Sequence, residues 1–289
     1  MSQGAVGASR FDPPHRAVAE AVGRALDEDL GPLGDITAAL VPPSARMVAS
    51  LTARQDGVMA GRACAAESFR QIDAAIEVDW VHVDGDRLVA GDTLAVVAGP
   101  MRSVLTAERT ALNFLCHLSG VATATSRLVD AVAAANPRTQ VWDTRKTLPG
   151  LRALEKAAVR AGGGANHRGS LSDMILVKDN HLAGLTITEA VALAQRSWPA
   201  RTVEVECDSL EQVAEAVEAG ATIVMCDNME PALVASAVAL VAGRALVEVS
   251  GGITLQTAPA YAAAGADLLS TSTITQSAPA LDIALDRTP

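Results

Sequence analysis

The chain has 289 residues, 49% of them hydrophobic, and a formal net charge of −10. That length suffices for two domains, or for one barrel-sized domain, with a well-buried core. The hydrophobic content argues against a disordered chain, and the negative charge argues against binding to nucleic acid or to a membrane surface. The four cysteines occur singly, without a CxxC pair or a Cys/His metal spacing, so we expect neither a disulfide framework nor a zinc site.

The sequence also predicts a cellular location. The first residues carry no basic patch followed by a long apolar run, which is the pattern of a signal peptide. The most apolar stretch, residues 232–242, is too short to span a bilayer. We therefore expect a cytoplasmic protein without a membrane segment.

The first hundred residues predict a mixed α/β region. Residues 16–30 have helical spacing, and three strand-like runs follow at residues 48–54, 78–83 and 93–99. A helical segment near residues 63–72 lies between the first two runs.

Two helices are predicted next. Apolar residues at helical spacing run over residues 103–118, and after Ser119-Gly120 a second helical stretch extends to Ala135. Asn136-Pro137 then ends the helical pattern.

The rest of the chain alternates regularly between short apolar runs and helical stretches. The runs begin near residues 140, 174, 202, 222, 245 and 267. The helical stretches begin with plausible starters at Pro149, Thr186, Ser209, Pro231 and Thr254. Such alternation predicts parallel strands joined by right-handed crossovers. Six units in about 150 residues favour a barrel, although a doubly wound open sheet has the same periodicity.

Each apolar run ends in residues whose side chains or backbone can take part in binding or catalysis. These ends are residues 143–146, residues 178–179, Glu206, Asp227, residues 250–252 and residues 270–273. In parallel α/β folds the carboxyl ends of the strands meet on one face, where active sites are built. Six strand ends that are charged or rich in Ser and Gly therefore predict one shared site rather than six ordinary solvent-exposed loops.

Positive charge is concentrated before and after the second of these runs. The chain has only three lysines, Lys146, Lys156 and Lys178, and between residues 143 and 181 seven Lys or Arg face four Asp or Glu. Local positive charge in an acidic protein suits the capture of a small polyanion. Arg145 and Arg168 would each bind a carboxylate through two parallel hydrogen bonds, and His167 would add another donor.

Carboxylates and hydroxyls follow in the later strands. Glu206 and Asp227 suit either magnesium held through a phosphate-bearing substrate or a general acid/base pair. Glu204 lies two residues before Glu206 and points the same way along the strand, so position alone does not separate the two. The loops at residues 250–252 and 270–273 have the glycines and hydroxyls of a phosphate cradle.

Together these segments resemble the quinolinate phosphoribosyltransferases. The matching stretches are residues 34–37 (GDIT), 106–123, 143–168, 176–181, 203–212, 226–228, 248–254 and 280–286. They cover most of the chain in the family's order. The pair TRKTLPGLR and GGGANHR is the most specific of these motifs, whereas GDIT or SGGI alone would be weak.

The resemblance implies a reaction, a fold and an assembly. Quinolinate would react with phosphoribosyl pyrophosphate, with magnesium, to give nicotinate mononucleotide, pyrophosphate and carbon dioxide in de novo NAD biosynthesis. An N-terminal α/β sandwich at residues 1–121 would precede an incomplete α/β barrel at residues 122–289, with the tail from about residue 278 packing back on the first domain. The active unit would be a homodimer whose sites are shared between subunits.

The resemblance also assigns roles to residues. The substrate-binding residues would be Arg109 (from the partner subunit), Arg145, His167, Arg168, Lys178, Ser250, Gly251, Gly252, Ser272 and Thr273. The catalytic residues would be Lys146, Lys178, Glu206 and Asp227. Glu206 and Asp227 would hold magnesium directly or through phosphoribosyl pyrophosphate.

Three positions depart from the family pattern, and other functions remain open. Cys207 is one of them, and we expect it to be a packing substitution whose side chain points away from Glu206. Ser272 and Gln276 stand where many members have glycine and histidine, which leaves the contacts of the phosphate loop undetermined. One alternative is a phosphoribosyltransferase-like relative that acts on another acceptor. The other is a sensor of phosphorylated sugars, which would not need Glu206, Asp227 and the arginines together.

Overall fold

The computed structural model describes residues 11–287 and divides the chain into two compact units. The first unit comprises the chain up to Ser126, residues 147–163 and the chain from Ser277 onward. The second comprises residues 127–146 and 164–276. Within the described part of the chain, no helix is long and apolar enough to cross a membrane.

The helices and strands follow one another along both units. The helices are α1 (His15–Leu30), α2 (Arg62–Ile72), α3 (Met101–Ala135), α4 (Arg152–Ala161), α5 (Asp179–Leu182), α6 (Ile187–Ser197), α7 (Leu210–Glu218), α8 (Pro231–Val241) and α9 (Ala258–Ala263). The strands are β1 (Arg46–Ala53), β2 (Gly57–Val58), β3 (Glu77–Trp80), β4 (Arg87–Leu88), β5 (Thr93–Pro100), β6 (Gln140–Trp142), β7 (Ile175–Val177), β8 (Val203–Cys207), β9 (Ile223–Asp227), β10 (Leu246–Ser250), β11 (Leu268–Ser270) and β12 (Ile283–Arg287).

The first unit is built on a four-stranded antiparallel sheet in the order β12-β1-β5-β3. Alternate residues of β1 and β5 are buried, as expected for strands with one face on a core. Leu51, Leu94 and Val97 of this sheet belong to one hydrophobic cluster with Phe69 of α2 and Leu115 of α3. The chain's last strand thus completes the sheet of its first unit.

The predicted break at Ser119-Gly120 is wrong, because α3 is one helix of 35 residues. A Cβ on Gly120 would lie 2.1 Å from the carbonyl oxygen of Pro279. The Ser119 hydroxyl donates to the carbonyl of Ala60 and accepts from its N–H, each at 3.0 Å. Both residues therefore serve close packing of α3 against neighbouring segments rather than a helix end.

The first unit differs from the predicted first domain because it also contains residues 147–163. Glu155 of α4 is fully buried there and lies 2.9 Å from Nε2 of His117 on α3. Its carboxylate also accepts the N–H of Leu148, at 3.3 and 3.4 Å. Gly162 packs so closely on α3 that a Cβ would lie 2.3 Å from the carbonyl oxygen of Ala122.

The second unit contains the six predicted strands in one parallel sheet, ordered β6-β11-β10-β9-β8-β7. Among the described residues β6 and β7 are its two edges, so the ring of strands is incomplete, as predicted. Thr186 and Ser209 cap α6 and α7, and Pro231 opens α8. Thr254 instead lies in a turn, and α9 begins after Thr257. The α/β fold class with an N-terminal α/β domain and a parallel C-terminal barrel is confirmed.

Candidate active site

The strand register brings several predicted site residues to one edge of the parallel sheet. Ser250 at the end of β10 pairs with Asp227 at the end of β9. Cys226, just before Asp227, pairs with Cys207, just after Glu206 in β8. The carboxyl ends of three adjacent strands thus meet at one edge, as parallel pairing requires.

Glu206 forms an ion pair with Lys178, which follows β7. The Glu206 side chain is 15% exposed and the Lys178 side chain 41% exposed, so the pair lies at the surface of this edge. The backbone N–H of Lys178 donates to Nδ1 of His181 at 3.0 Å, which fixes the turn that carries the lysine. Here a cation and a carboxylate are both within reach of solvent and of a ligand.

Asp227 is held by the residue that follows it. Nδ2 of Asn228 donates to Asp227 Oδ2 at 2.8 Å, and the N–H of Asn228 donates to the carbonyl of Ser250 at 3.0 Å. Gly251 has φ +90°, and a Cβ there would lie 2.2 Å from Oδ1 of Asn228. Glycine is therefore required at 251 both for its backbone conformation and for the space that Asn228 occupies.

Arg145 and Arg168, the two arginines predicted to bind carboxylates, lie on segments that a buried carboxylate joins. Asp143 Oδ1 accepts the N–H of His167 at 2.8 Å, and Oδ2 accepts Nδ2–H of Asn166 at 2.7 Å. These bonds tie the segment that carries Arg168 to the strand end that carries Arg145. Burial and, after it, the positive charge of Arg145 lower the pKa of Arg168. Two partly buried guanidinium groups therefore act on each other, which favours an anionic ligand between them.

His167 is buried, and both of its ring nitrogens face protein groups. Nδ1 accepts the N–H of Arg168 at 2.8 Å. Nε2 lies 3.1 Å from Oε2 of Glu204 and 3.4 Å from Oε2 of Glu248. Burial acts to lower the pKa of His167, whereas the nearby carboxylates of Glu204 and Glu248 act to raise it. Burial raises the pKa of Glu204, and the charge of Glu248 adds to this.

Glu204 therefore has a different partner from Glu206. Both side chains point to the same face of β8, but Glu204 is fully buried beside His167, whereas Glu206 reaches the edge beside Lys178. Side-chain alternation along β8 could not distinguish Glu204 from Glu206, but their positions along the strand do, because one is buried and the other reaches the edge of the sheet.

The loop after β11 is cross-linked by hydroxyls. Thr271 Oγ1 donates to the carbonyl of Ile253 at 3.1 Å and lies 3.0 Å from the hydroxyl of Thr273. Ser272 is not among the residues with positive φ, so a side chain fits at this position of the loop without backbone strain. Nε2 of Gln276 lies 3.4 Å from Oγ of Ser272. Ser272 and Gln276, which both depart from the family pattern in this loop, thus contact each other.

Two predicted residues stand apart from these contacts. Lys146 is exposed, and its backbone is fixed by an N–H bond to Thr144 Oγ1 and by the hydroxyl of Thr275, which donates to its carbonyl. Arg109 is exposed on α3 and belongs to the first unit. Their roles stay predictions.

Sequence reasoning missed Glu248 and gave Asp143 no role. Glu248 is fully buried in the middle of β10, and Asp143 is fully buried just after β6. A signal for Glu248 exists, because Val203-Glu204-Val205 and Val247-Glu248-Val249 each place a glutamate inside an apolar strand. A glutamate that is fully buried usually has a specific partner.

Comparisons with known proteins agree with this arrangement. Residues 35–119 match the N-terminal domain, and residues 121–286 the C-terminal domain, of quinolinate phosphoribosyl transferase. The chain is 41% identical over 280 residues to the carboxylating nicotinate-nucleotide pyrophosphorylase of Mycobacterium leprae, covering 93% of this chain and 97% of that protein. It is 40% identical to the probable Bacillus subtilis enzyme of that name, covering 90% of each.

A solved structure shows the same fold. The nicotinate-nucleotide pyrophosphorylase of Francisella tularensis superposes with a TM-score of 0.92 at 37% identity, covering 97% of this chain and 99% of that one. Both domains and their order are thus matched along nearly the whole sequence. The chain belongs to the quinolinate phosphoribosyltransferase family.

Proposed function

We propose that this chain is the carboxylating nicotinate-nucleotide pyrophosphorylase of de novo NAD biosynthesis. It transfers the phosphoribosyl group of phosphoribosyl pyrophosphate to quinolinate and releases pyrophosphate and carbon dioxide, leaving nicotinate mononucleotide. The observation that carries the proposal is that Asp143 joins the strand end that carries Arg145 to the segment that carries Arg168, which brings the two arginines to one site. Quinolinate has two adjacent carboxylates, which two neighbouring arginines match better than they match a monoacid.

The transfer step depends on orientation and electrostatics. The pyridine nitrogen donates its lone pair to the sugar carbon C1, and the bond from C1 to pyrophosphate breaks with its electrons leaving on the pyrophosphate oxygen. Arg145 and Arg168 hold the ring so that its nitrogen faces C1. Lys146 and Lys178 stabilise negative charge on the pyrophosphate and phosphoribosyl groups, and the loops at residues 250–252 and 272–273 bind the 5′-phosphate.

Decarboxylation follows on the same ring. The quaternised nitrogen draws electron density, so the bond between C2 and its carboxylate breaks, carbon dioxide leaves, and a proton from solvent takes its place at C2. No dedicated protein base is needed for this step. The site's contribution is to hold the 2-carboxylate until the nitrogen has been alkylated.

Magnesium fits the carboxylate pair at the strand ends. Glu206 already attracts the cation of Lys178, and Asp227 lies partly buried at the end of the next strand. Oxygen ligands and access to water are what magnesium prefers, and it is commonly bound together with substrate phosphates. When bound, it would neutralise charge on the departing pyrophosphate.

We also propose a cytoplasmic homodimer. In it, Arg109 of one protomer completes the quinolinate site of its partner. Support comes from the exposure of Arg109 on the first unit, whereas Arg145, His167 and Arg168 belong to the second. The location rests on the sequence expectation alone.

The decisive experiment supplies quinolinate labelled in its 2-carboxylate, with magnesium and phosphoribosyl pyrophosphate. We expect release of labelled carbon dioxide in equal amount to nicotinate mononucleotide. A parallel reaction with nicotinate tests the other acceptor. Nicotinate mononucleotide formed from nicotinate, without carbon dioxide released from quinolinate, would show that nicotinate is the acceptor. If folded protein forms no product from either acceptor, the proposed reaction is refuted.

A further inference from the structure

The environment of His167 differs from that of a side chain that binds substrate through its ring nitrogens. Nδ1 accepts the N–H of Arg168 at 2.8 Å, and Nε2 faces the carboxylates of Glu204 and Glu248 at 3.1 and 3.4 Å. The ring edge that would donate to an acceptor is thus directed at protein. Because the N–H of Arg168 donates to Nδ1, Nε2 is the ring nitrogen that faces the two carboxylates.

We propose that Glu204 and Glu248 are positioning residues of the quinolinate subsite, which act through His167 on the backbone of Arg168. The two carboxylates hold the imidazole in one orientation, and the imidazole holds the N–H of Arg168. The guanidinium group of Arg168 is thereby aimed at the substrate carboxylate. This inference rests on the proposed function and assigns a role to two glutamates that do not reach the substrate edge.

Burial makes the arrangement rigid. Glu204 and Glu248 are both fully buried, on strands that are separated by β9. Two buried carboxylates destabilise each other unless a polar group of opposite character lies beside them, and Nε2 of His167 lies at ion-pair distance from both. The negative charge of Glu204 also acts on the guanidinium group of Arg168. The cluster therefore links two strands of the sheet to one arginine of the site.

The same three side chains have a geometry that a metal ion would accept, since ligand atoms of His167, Glu204 and Glu248 all lie within 4.8 Å of one another. The Nδ1 contact argues against that reading. A metal-bound histidine usually donates from its other ring nitrogen, whereas here that nitrogen accepts an N–H. A metal on Nε2 would leave the ring with no proton at all.

The test uses the full-length enzyme and three variants. Glu248→Gln and Glu204→Gln keep shape but remove one buried charge. His167→Gln keeps an amide donor toward the carboxylates and removes the ring nitrogen Nδ1 that accepts from Arg168. Each variant's KM is measured for quinolinate and, separately, for phosphoribosyl pyrophosphate. We expect the quinolinate KM to rise about tenfold or more, because small displacements of a positioning group cost this much, with the other KM changing less than about twofold.

Glu67→Gln is the matched control. Glu67 is also buried and pairs with Arg70 at 2.6 Å in the first unit, so its loss tests destabilisation without the proposed role. We expect it to leave both KM values unchanged. If the glutamate variants do not fold, His167→Gln alone decides.

Three results would overturn the inference. One is a folded variant with the wild-type quinolinate KM, and another is an equal rise in both KM values. The third is a stoichiometric metal ion in the purified wild type that Glu248→Gln lacks. Wild-type protein that releases no carbon dioxide from quinolinate would instead refute the proposed function itself, so the two failures are distinguishable.

Discussion

Arg145 and Arg168 are held at the carboxyl edge of the parallel sheet by a buried carboxylate rather than by each other. Asp143 lies two residues before Arg145 and accepts the backbone N–H of His167, the neighbour of Arg168. Like charges so placed are unfavourable without an anionic ligand, so under the proposed function the pair would favour a dianionic substrate. At the residue scale, the proposed substrate specificity depends on which charged side chains meet at the carboxyl edge of the sheet.

We expect Arg145→Ala to abolish most turnover while the protein stays folded. Losing one partner of a desolvated carboxylate costs about 2–5 kcal/mol, so kcat/KM for quinolinate should fall about 30-fold or more. Steady-state kinetics and near-ultraviolet circular dichroism check activity and fold. Arg138→Ala is the control, because Arg138 is exposed just before the amino end of the same strand, β6. Normal kinetics for Arg145→Ala would remove this residue from the site.

At the scale of elements, α3 and α1 show that a glycine in a helix can be required by close packing at one position and not at another. Gly120 keeps α3 close to the carbonyl of Pro279, whereas a Cβ on Gly23 in α1 would make only an ordinary contact, 3.5 Å from Oε1 of Gln71. Helix propensity alone favours alanine at both positions. Packing therefore decides the sign of the substitution.

We predict that Gly120→Ala destabilises the protein by about 1–3 kcal/mol, the usual result of overpacking. Gly23→Ala should instead stabilise it by about 0.5–1 kcal/mol. Denaturant unfolding of both variants measures the two effects. A stable Gly120→Ala protein would show that the segment at Pro279 moves away without cost.

The start of α2 depends on a buried acid from another segment. Asp84 accepts the N–H groups of Gly61 at 3.2 Å and Arg62 at 3.1 Å, yet burial outweighs these bonds and raises its pKa to about 6. Between about pH 4 and about pH 6, the folded state therefore holds a proton on Asp84 that the unfolded chain, with a pKa of about 3.9, has already released.

It follows that the free energy of unfolding falls as pH rises from about 4 to about 6, by about 3 kcal/mol from this group. The sign is that of a raised pKa, with full stabilisation at low pH. Comparing unfolding at several pH values in wild type and Asp84→Asn tests this. The variant should lack the difference in slope within that window, and identical slopes would contradict the raised pKa.

At the scale of the whole molecule, the proposed homodimer makes a prediction about shared sites. An Arg109→Ala protein and an Asp227→Ala protein should each be inactive, because each lacks one part of every site. Mixed dimers contain one site with both changes and one with neither. After equal mixing and exchange, about a quarter of wild-type activity should return. Exchange that is confirmed by tagged subunits but restores no activity would refute the sharing of Arg109.

The sequence by itself determined the fold class and most of the strands. Strand and helix periodicities are local properties, so the six apolar runs of the second half predict six strands without knowledge of their neighbours. The residue types at their ends likewise predict a site at the carboxyl edge. Arg145, Lys178, Glu206 and Asp227 were predicted as site residues in this way.

Only the tertiary structure decided which of these groups meet. Lys178 pairs with Glu206, and His167 with Glu204 and Glu248, across gaps of 28 or more residues that no local pattern spans. The continuity of α3 through Gly120 was equally hidden, because the reason for that glycine lies in a carbonyl 159 residues further along the chain. Partnership between side chains is set by strand order and by depth along each strand, and both are properties of the assembled sheet rather than of the sequence pattern.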